Sequence, residues 1–371
     1  VGTVVPVQRP VAAGVGQSVP QPTPAAPAVP PDTVTAAAPP RDDKPSAYAL
    51  AWSSPITADG ALTLTFTASN LIMAGADTVT EARSLDDGRV LWTSQTRTEH
   101  PPVVEAELVI LTTGGQMVAL EATTGRPRWT AGLNGATRGP SSAQGWIVIS
   151  SGVELRAYRA ADGQLIWTRD LGATATTPPA FAATTVVVPL DDRTFAATDL
   201  VTGEPVWHEP LEVTPVAIAA FGDRIYIGAA EGYACAFRQE HGRRDWCFPV
   251  RVKPVGRPVA DERHVYFAFL DNMVHVFDRR SGRRYYTPSL GALPLSGFVL
   301  SASHLVVPVV TGEFVLLDLS SGLDTTRVSV SDAREVPSTR ASAVSSDATL
   351  LALVTASPAG RSLVCFKARA S

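Results

Sequence analysis

A glycine followed four residues later by a tryptophan recurs along this chain at a nearly fixed distance. The pairs are Gly88 with Trp92, Gly125 with Trp129, Gly163 with Trp167, Gly203 with Trp207 and Gly242 with Trp246. Two weaker copies follow, Gly282 with Tyr286 and Gly322 with Thr326. Successive glycines lie 37, 38, 40, 39, 40 and 40 residues apart. A period of this size restricts the chain to a propeller, a solenoid or an array. Strand patterning selects among these.

Each Gly sits in a short turn after an apolar run, as in Ala119-Leu120-Glu121-Ala122-Thr123-Thr124-Gly125. A tight hairpin loop needs one residue with positive φ, which Gly adopts without steric cost. The Trp on the outgoing strand supplies a large ring to bury against the neighbouring unit. About 15 residues before each Gly stands a second apolar run suited to a buried strand, such as Leu108–Leu111, Trp146–Ile149, Val186–Val188 and Ile225–Ile227. Prolines punctuate the starts of several units, at Pro101-Pro102, Pro140, Pro178-Pro179, Pro215 and Pro258. Four strands in roughly 40 residues is the content of one propeller blade.

The ends complement each other. Tyr48–Trp52 reads as a Trp strand with no hairpin before it, whereas the last unit ends at Ser362–Phe366 without a Trp strand. Pairing them removes two sheet edges that would otherwise invite aggregation. The expected fold is therefore an all-β propeller of eight four-stranded blades over residues 48–371, the eighth a composite of both chain ends. Gly88, Gly125, Gly163, Gly203, Gly242 and Gly282 with Trp52, Trp92, Trp129, Trp167, Trp207, Trp246 and Tyr286 are its structural repeat positions.

Residues 1–47 hold 11 prolines, many alanines and no aromatic residue. Such a stretch buries too little surface to offset its ordering entropy. It is expected to be a disordered linker, able to reach on the order of 140 Å in polyproline II form. The chain starts at Val1, not Met, so an initiator and an anchor or targeting segment are expected upstream. No apolar run of 18 or more residues is present to span a bilayer.

The repeat Ala-Leu-x-x-x-Thr-Gly-x-x-x-Trp, as in Ala119 to Trp129, resembles the pyrroloquinoline-quinone-type repeat, and in size the chain is similar to the BamB-like group of that family. The resemblance covers essentially all of residues 48–371. It implies a non-enzymatic protein-binding scaffold of the bacterial cell envelope, acting in outer-membrane β-barrel assembly as a periplasmic, N-terminally tethered monomer. A sensor propeller with a small molecule in its central channel is the second implication, and a quinoprotein dehydrogenase the third. Quinoproteins of the family carry adjacent cysteines and a Glu, Asn and Asp about a calcium ion. Here Cys235, Cys247 and Cys365 are not adjacent, and Asn70, Asn134 and Asn272 stand in no calcium-loop spacing. No cofactor is expected.

Other chemistry is weakly marked. The six histidines lack metal-ligand spacing, and no nucleophile elbow or phosphate loop occurs. A net charge of −4 argues against nucleic acid as a partner. Acidic pairs such as Asp86-Asp87 and Asp191-Asp192 fall in turns and are expected to be solvated. Cys235 and Cys247 flank one hairpin and should face each other. Export would oxidise them to a disulfide and leave Cys365 free, whereas a reducing compartment would leave two buried thiols.

Charge is uneven along the chain. Residues 238–284 contain 11 basic and six acidic side chains, while residues 77–211 contain ten basic and 16 acidic ones. Arg243, Arg244, Arg279, Arg280, Arg283 and Arg284 lie at the hairpin tips of adjacent units and are expected on one rim. They are candidates for docking an acidic protein segment or anionic headgroups through bidentate contacts; a plain solvated rim is the other reading.

Overall fold

The computed structural model describes residues 47–58, 60–135, 137–321, 325–329, 338–357 and 360–369. The expected linker up to residue 46 and Gly322 lie outside the described residues. The strands form eight four-stranded antiparallel sheets. Blades 1 to 7 run in chain order over residues 63–94, 103–132, 141–170, 180–210, 215–249, 254–286 and 299–329. Blade 8 combines Ser338–Val344, Leu350–Ser357 and Gly360–Ala368 with the N-terminal strand Tyr48–Ile56. Tyr48 pairs with Ala368, Trp52 with Cys365 and Ile56 with Arg361, so the composite blade expected from the chain ends is formed.

Within a blade we label the strands a to d from the axis outward. In blade 3 these are Ser141–Ala143, Trp146–Ser151, Glu154–Arg159 and Leu165–Asp170. The a strands of neighbouring blades approach one another around the channel. The b and c strands make up the core between sheets, with Ile147, Val148, Ile149, Leu155 and Ala157 fully buried in blade 3. The d strands expose alternate residues to solvent, as Leu165–Asp170 shows. The up-and-down order puts the a–b and c–d turns on one face, and the b–c turns and d–a loops on the other.

One joint recurs between blades. The indole of each Trp on a d strand lies over the hairpin glycine of the next blade: Trp52 over Gly88, Trp92 over Gly125, Trp129 over Gly163, Trp167 over Gly203, Trp207 over Gly242 and Trp246 over Gly282. A Cβ added to any of these glycines would fall within 3.0 Å of the ring. Each indole Nε1–H also donates to the carbonyl three residues before that glycine, at 2.8–3.1 Å; the acceptors are Leu85, Ala122, Ala160, Leu200, Gln239 and Arg279. The glycines have φ between 68° and 73°. They are thus required twice, once for the turn and once as the floor under a foreign ring.

In blade 5 the register places Cys235 directly opposite Cys247, with Cα atoms 4.1 Å apart and the sulfurs at bonding distance. Cys365 is buried as a free thiol, and burial pushes its pKa up to about 12.

Two outcomes follow from this packing. Gly163→Ala should lower stability by about 3 kcal/mol or more, because its Cβ would sit 2.5 Å from Trp129. Gly172→Ala, at a similar φ of 74° but facing open space, should cost only the backbone strain of about 1–2 kcal/mol. Equal losses in thermal or urea unfolding would remove the ring-seat explanation. Peptide mapping of oxidised protein should find Cys235 bridged to Cys247, and iodoacetamide should label Cys365 only after unfolding.

Candidate functional site

The arginine-rich tips belong to the c–d hairpins of blades 5 and 6. Blade 5 turns between Tyr233–Arg238 and Arg244–Pro249, blade 6 between Met273–Asp278 and Arg284–Tyr286. Gly282 under the Trp246 ring draws the second tip against the first blade, so the two tips share one rim. Asp278 fixes the second tip by accepting from the N–H groups of Arg280 and Ser281 and from the Ser281 hydroxyl at 2.7–3.2 Å. These bonds, the Ser281 hydroxyl first, hold its carboxyl below the ordinary range.

Arg279 does not belong to this rim. It is 5% exposed and lies beneath the tip, with its guanidinium 5.2 Å above the Phe221 ring and Nη2 3.8 Å from Asp223. The reason is local: Trp246 binds its carbonyl, and the Gly222 turn of blade 5 leaves room for the side chain to fold inward. Arg279 joins an ion network that spacing alone could not reveal. Arg224, 2% exposed, bonds Asp245 at 2.8 Å and Asp223 at 2.7 Å, and Arg238 reaches the same two carboxylates at 3.3 and 3.2 Å. Burial pushes the Asp223 carboxyl up, but Arg224 and Arg279 outweigh it and hold the group below its usual range.

The other five arginines are exposed. Arg244 pairs with Glu212 across the joint to blade 4, an exposed contact worth little. Arg243 and Arg280 make no side-chain bond to another described residue. Arg284 stands 5.3 Å over the Phe248 ring and Arg283 6.0 Å over Tyr285. Tyr285 is itself 59% exposed and meets the edges of His264 at 4.9 Å and Tyr286 at 6.4 Å. An exposed Tyr flanked by arginines is the composition enriched at protein interfaces. The repeat spacing marked Tyr286, four residues after Gly282, as the structural ring, and no signal marked its exposed neighbour Tyr285.

The remaining sequence candidates have structural places. His264 and His304 each open a b strand and pair in register with Asp278 and Asp318. Asp87 and Asp192 accept backbone N–H groups within their own turns. Among the described residues no cluster of three or more His, Cys, Asp or Glu side chains could hold a metal ion.

One of several cavities along the axis, of about 610 Å³, is lined by the a strands and d–a loops of blades 2 to 6. Its walls are largely Pro, Ala and Gly, with Arg138, Arg257 and His100 as the titratable groups. A quinone–calcium centre would need carboxylate and amide oxygens on the metal. None of the described lining residues is Asp, Glu, Asn or Gln, so this cavity does not fit that group.

A sequence profile described as "Outer membrane protein assembly factor BamB" matches residues 75–140, 132–322 and 212–371. No curated protein matches the chain in sequence. Among solved structures, the computationally designed Ika8 protein superposes with a TM-score of 0.69 at 16% identity, covering 85% of this chain and 98% of its own. BamB from Moraxella catarrhalis superposes at 0.62 with 16% identity, over 86% of this chain and 97% of that one. The quinohemoprotein alcohol dehydrogenase ADHIIG from Pseudomonas putida HK5 reaches 0.60 at 13% identity, over 88% and 77%. At such identities the structures share the fold, not the chemistry. The profile, in contrast, matches the sequence itself over most of its length, and the chain belongs to the PQQ-type repeat propeller family described as outer membrane protein assembly factor BamB.

Proposed function

We propose that this protein is a non-enzymatic binding scaffold of the bacterial cell envelope that docks a protein partner on the blade 5–6 rim, in the manner of an outer-membrane assembly factor. The observation that carries the reading is the exposed group Arg243, Arg280, Arg283, Arg284 and Tyr285, held on turns whose backbones are locked to a rigid ring. Rigid presentation matters because an interface side chain that is already ordered loses less entropy on binding. The family and the likeness to BamB support a partner in outer-membrane assembly. They also support a periplasmic or cell-envelope location.

Arginine forks and an aromatic ring select for carboxylates and apolar surface together. The partner is therefore an acidic segment with an aromatic or aliphatic anchor. In the 610 Å³ axial cavity the described lining includes one imidazole, His100. That imidazole bonds Thr137 at 3.0 Å, and burial lowers its pKa.

Capture from envelope extract tests this reading. The wild-type ring should retain outer-membrane assembly proteins at low salt and release them at high salt. Replacing Arg243, Arg280, Arg283 and Arg284 together by Glu should weaken capture about tenfold or more without changing the unfolding midpoint. Arg279→Glu should instead lower the midpoint, since it places a carboxylate beside Asp223 in a buried network. Undiminished capture by the fourfold variant would exclude the rim. Capture of no assembly protein by the wild type would overturn the scaffold role.

A further inference from the structure

The a strand of blade 6, Pro254–Ala260, departs from the ladder in one place. Val255 pairs with Ala268 and Val259 with Tyr266, so Gly256, Arg257 and Pro258 stand against the single residue Phe267. Gly256 has φ of 67°, and a Cβ there would press on Phe298 and Ser296 at 3.1 Å. A bulge of this kind re-aims a side chain away from the sheet. Here it turns Arg257 into the channel, where Nη2 donates to the Ser141 hydroxyl of blade 3 at 3.3 Å. Blade 3 lies three blades away around the ring, so the side chain crosses the axis.

What Arg257 lacks is a counter-charge. Channel water reaches it, yet protein surrounds it, and this burial lowers its pKa with no carboxylate acting in the other direction. Ser141 is a weak partner, since it is neutral and the contact is long for a hydrogen bond; its hydroxyl hydrogen goes to the Pro179 carbonyl at 2.6 Å. Arg138, on the loop leading into blade 3, faces the same cavity and uses Nε on the Ala175 carbonyl at 2.9 Å. Two guanidinium groups thus converge on one cavity whose described lining has no acid. The surrounding walls, among them Pro140, Pro178, Phe181 and Ile218, are apolar. A cation in a channel with apolar walls favours an anion, because the walls focus its field even where water enters.

We propose that the axial cavity binds a small organic carboxylate, with Arg257 and Arg138 on its carboxylate and the Pro, Phe and Ile walls on its apolar body. The volume suits a compact molecule, and planar guanidinium forks match carboxylate oxygens two at a time. The site is independent of the rim: it is built from the a strands and d–a loops, whereas the rim is built from c–d hairpins. Nothing in its geometry requires the protein partner.

The test is titration of the whole protein with benzoate, hexanoate and inorganic phosphate, followed by ligand-observed NMR and calorimetry. Benzoate or hexanoate should bind saturably and more tightly than phosphate. Arg257→Gln should weaken that binding about tenfold or more, and Arg138→Gln should weaken it as well. Both variants should keep the wild-type circular dichroism, because neither side chain is part of a core cluster. No saturable binding of either carboxylate would overturn the proposal, as would binding that Arg257→Gln leaves unchanged. Phosphate binding as tight as the carboxylates would overturn the assignment to an organic acid. A free acid and the end of a peptide are separated by a short apolar peptide in acid and amide forms: preference for the acid form shows that a chain terminus also fits, and equal weakness of both confines the site to free acids.

Discussion

The indole resting on a glycine of the next blade is the contact on which the ring depends. Each tryptophan removes on the order of 150–250 Å² of largely apolar surface from water. At about 25 cal/mol per Å², that is several kcal/mol per joint before ordering entropy. Its Nε1–H then finds a backbone carbonyl on the same neighbouring hairpin, so burial leaves no polar atom unpaired. A ring and a hydrogen bond together fix both the distance and the rotation between sheets. Trp52 makes the same joint from the N-terminal strand, which ties the composite blade into the series.

This contact also connects architecture to function. The carbonyl that Trp246 binds belongs to Arg279, and the glycine beneath its ring is Gly282, so the joint between blades 5 and 6 positions the tip that presents Arg280, Arg283 and Arg284. Below that tip, Arg224, Arg238 and Arg279 share Asp223 and Asp245. The network leaves one excess positive charge under an already basic surface. A designed protein, a BamB and an alcohol dehydrogenase all superpose on this ring, so the fold cannot decide among roles. The decision rests on side chains: an exposed arginine–tyrosine group on one set of loops, and an acid-free axial cavity behind the other.

Much of the fold was legible in the sequence because its signals are strong and local. The b strands are continuous apolar runs, the d strands carry Trp at a fixed offset from Gly, and the two chain ends each lack what the other has. The a strands were not legible: Ala180–Ala182 and Ser141–Ala143 are three residues long and built of small side chains, which leave no periodic pattern. The glycine positions were recognised for their turn but not as seats for a ring from another blade, a relation between units about 35 residues apart. Arg279 shows the limit for the site. By position it is one of six arginines at two tips, and only the fold reveals that it turns inward onto Phe221. Arg257 was hidden for a similar reason, since a bulge cancels the alternation that would have assigned its direction.

The claim that the blade 5–6 rim is the docking surface is tested most directly by site-specific photo-crosslinking. A photoreactive amino acid replaces Arg280 in one protein and Gly172, exposed on a d–a loop of the opposite face, in another. Both are irradiated in envelope extract at low salt. Docking on the rim predicts a discrete adduct with an outer-membrane assembly protein from position 280 and none from position 172. Adducts from position 172 alone, or equally from both, would contradict it.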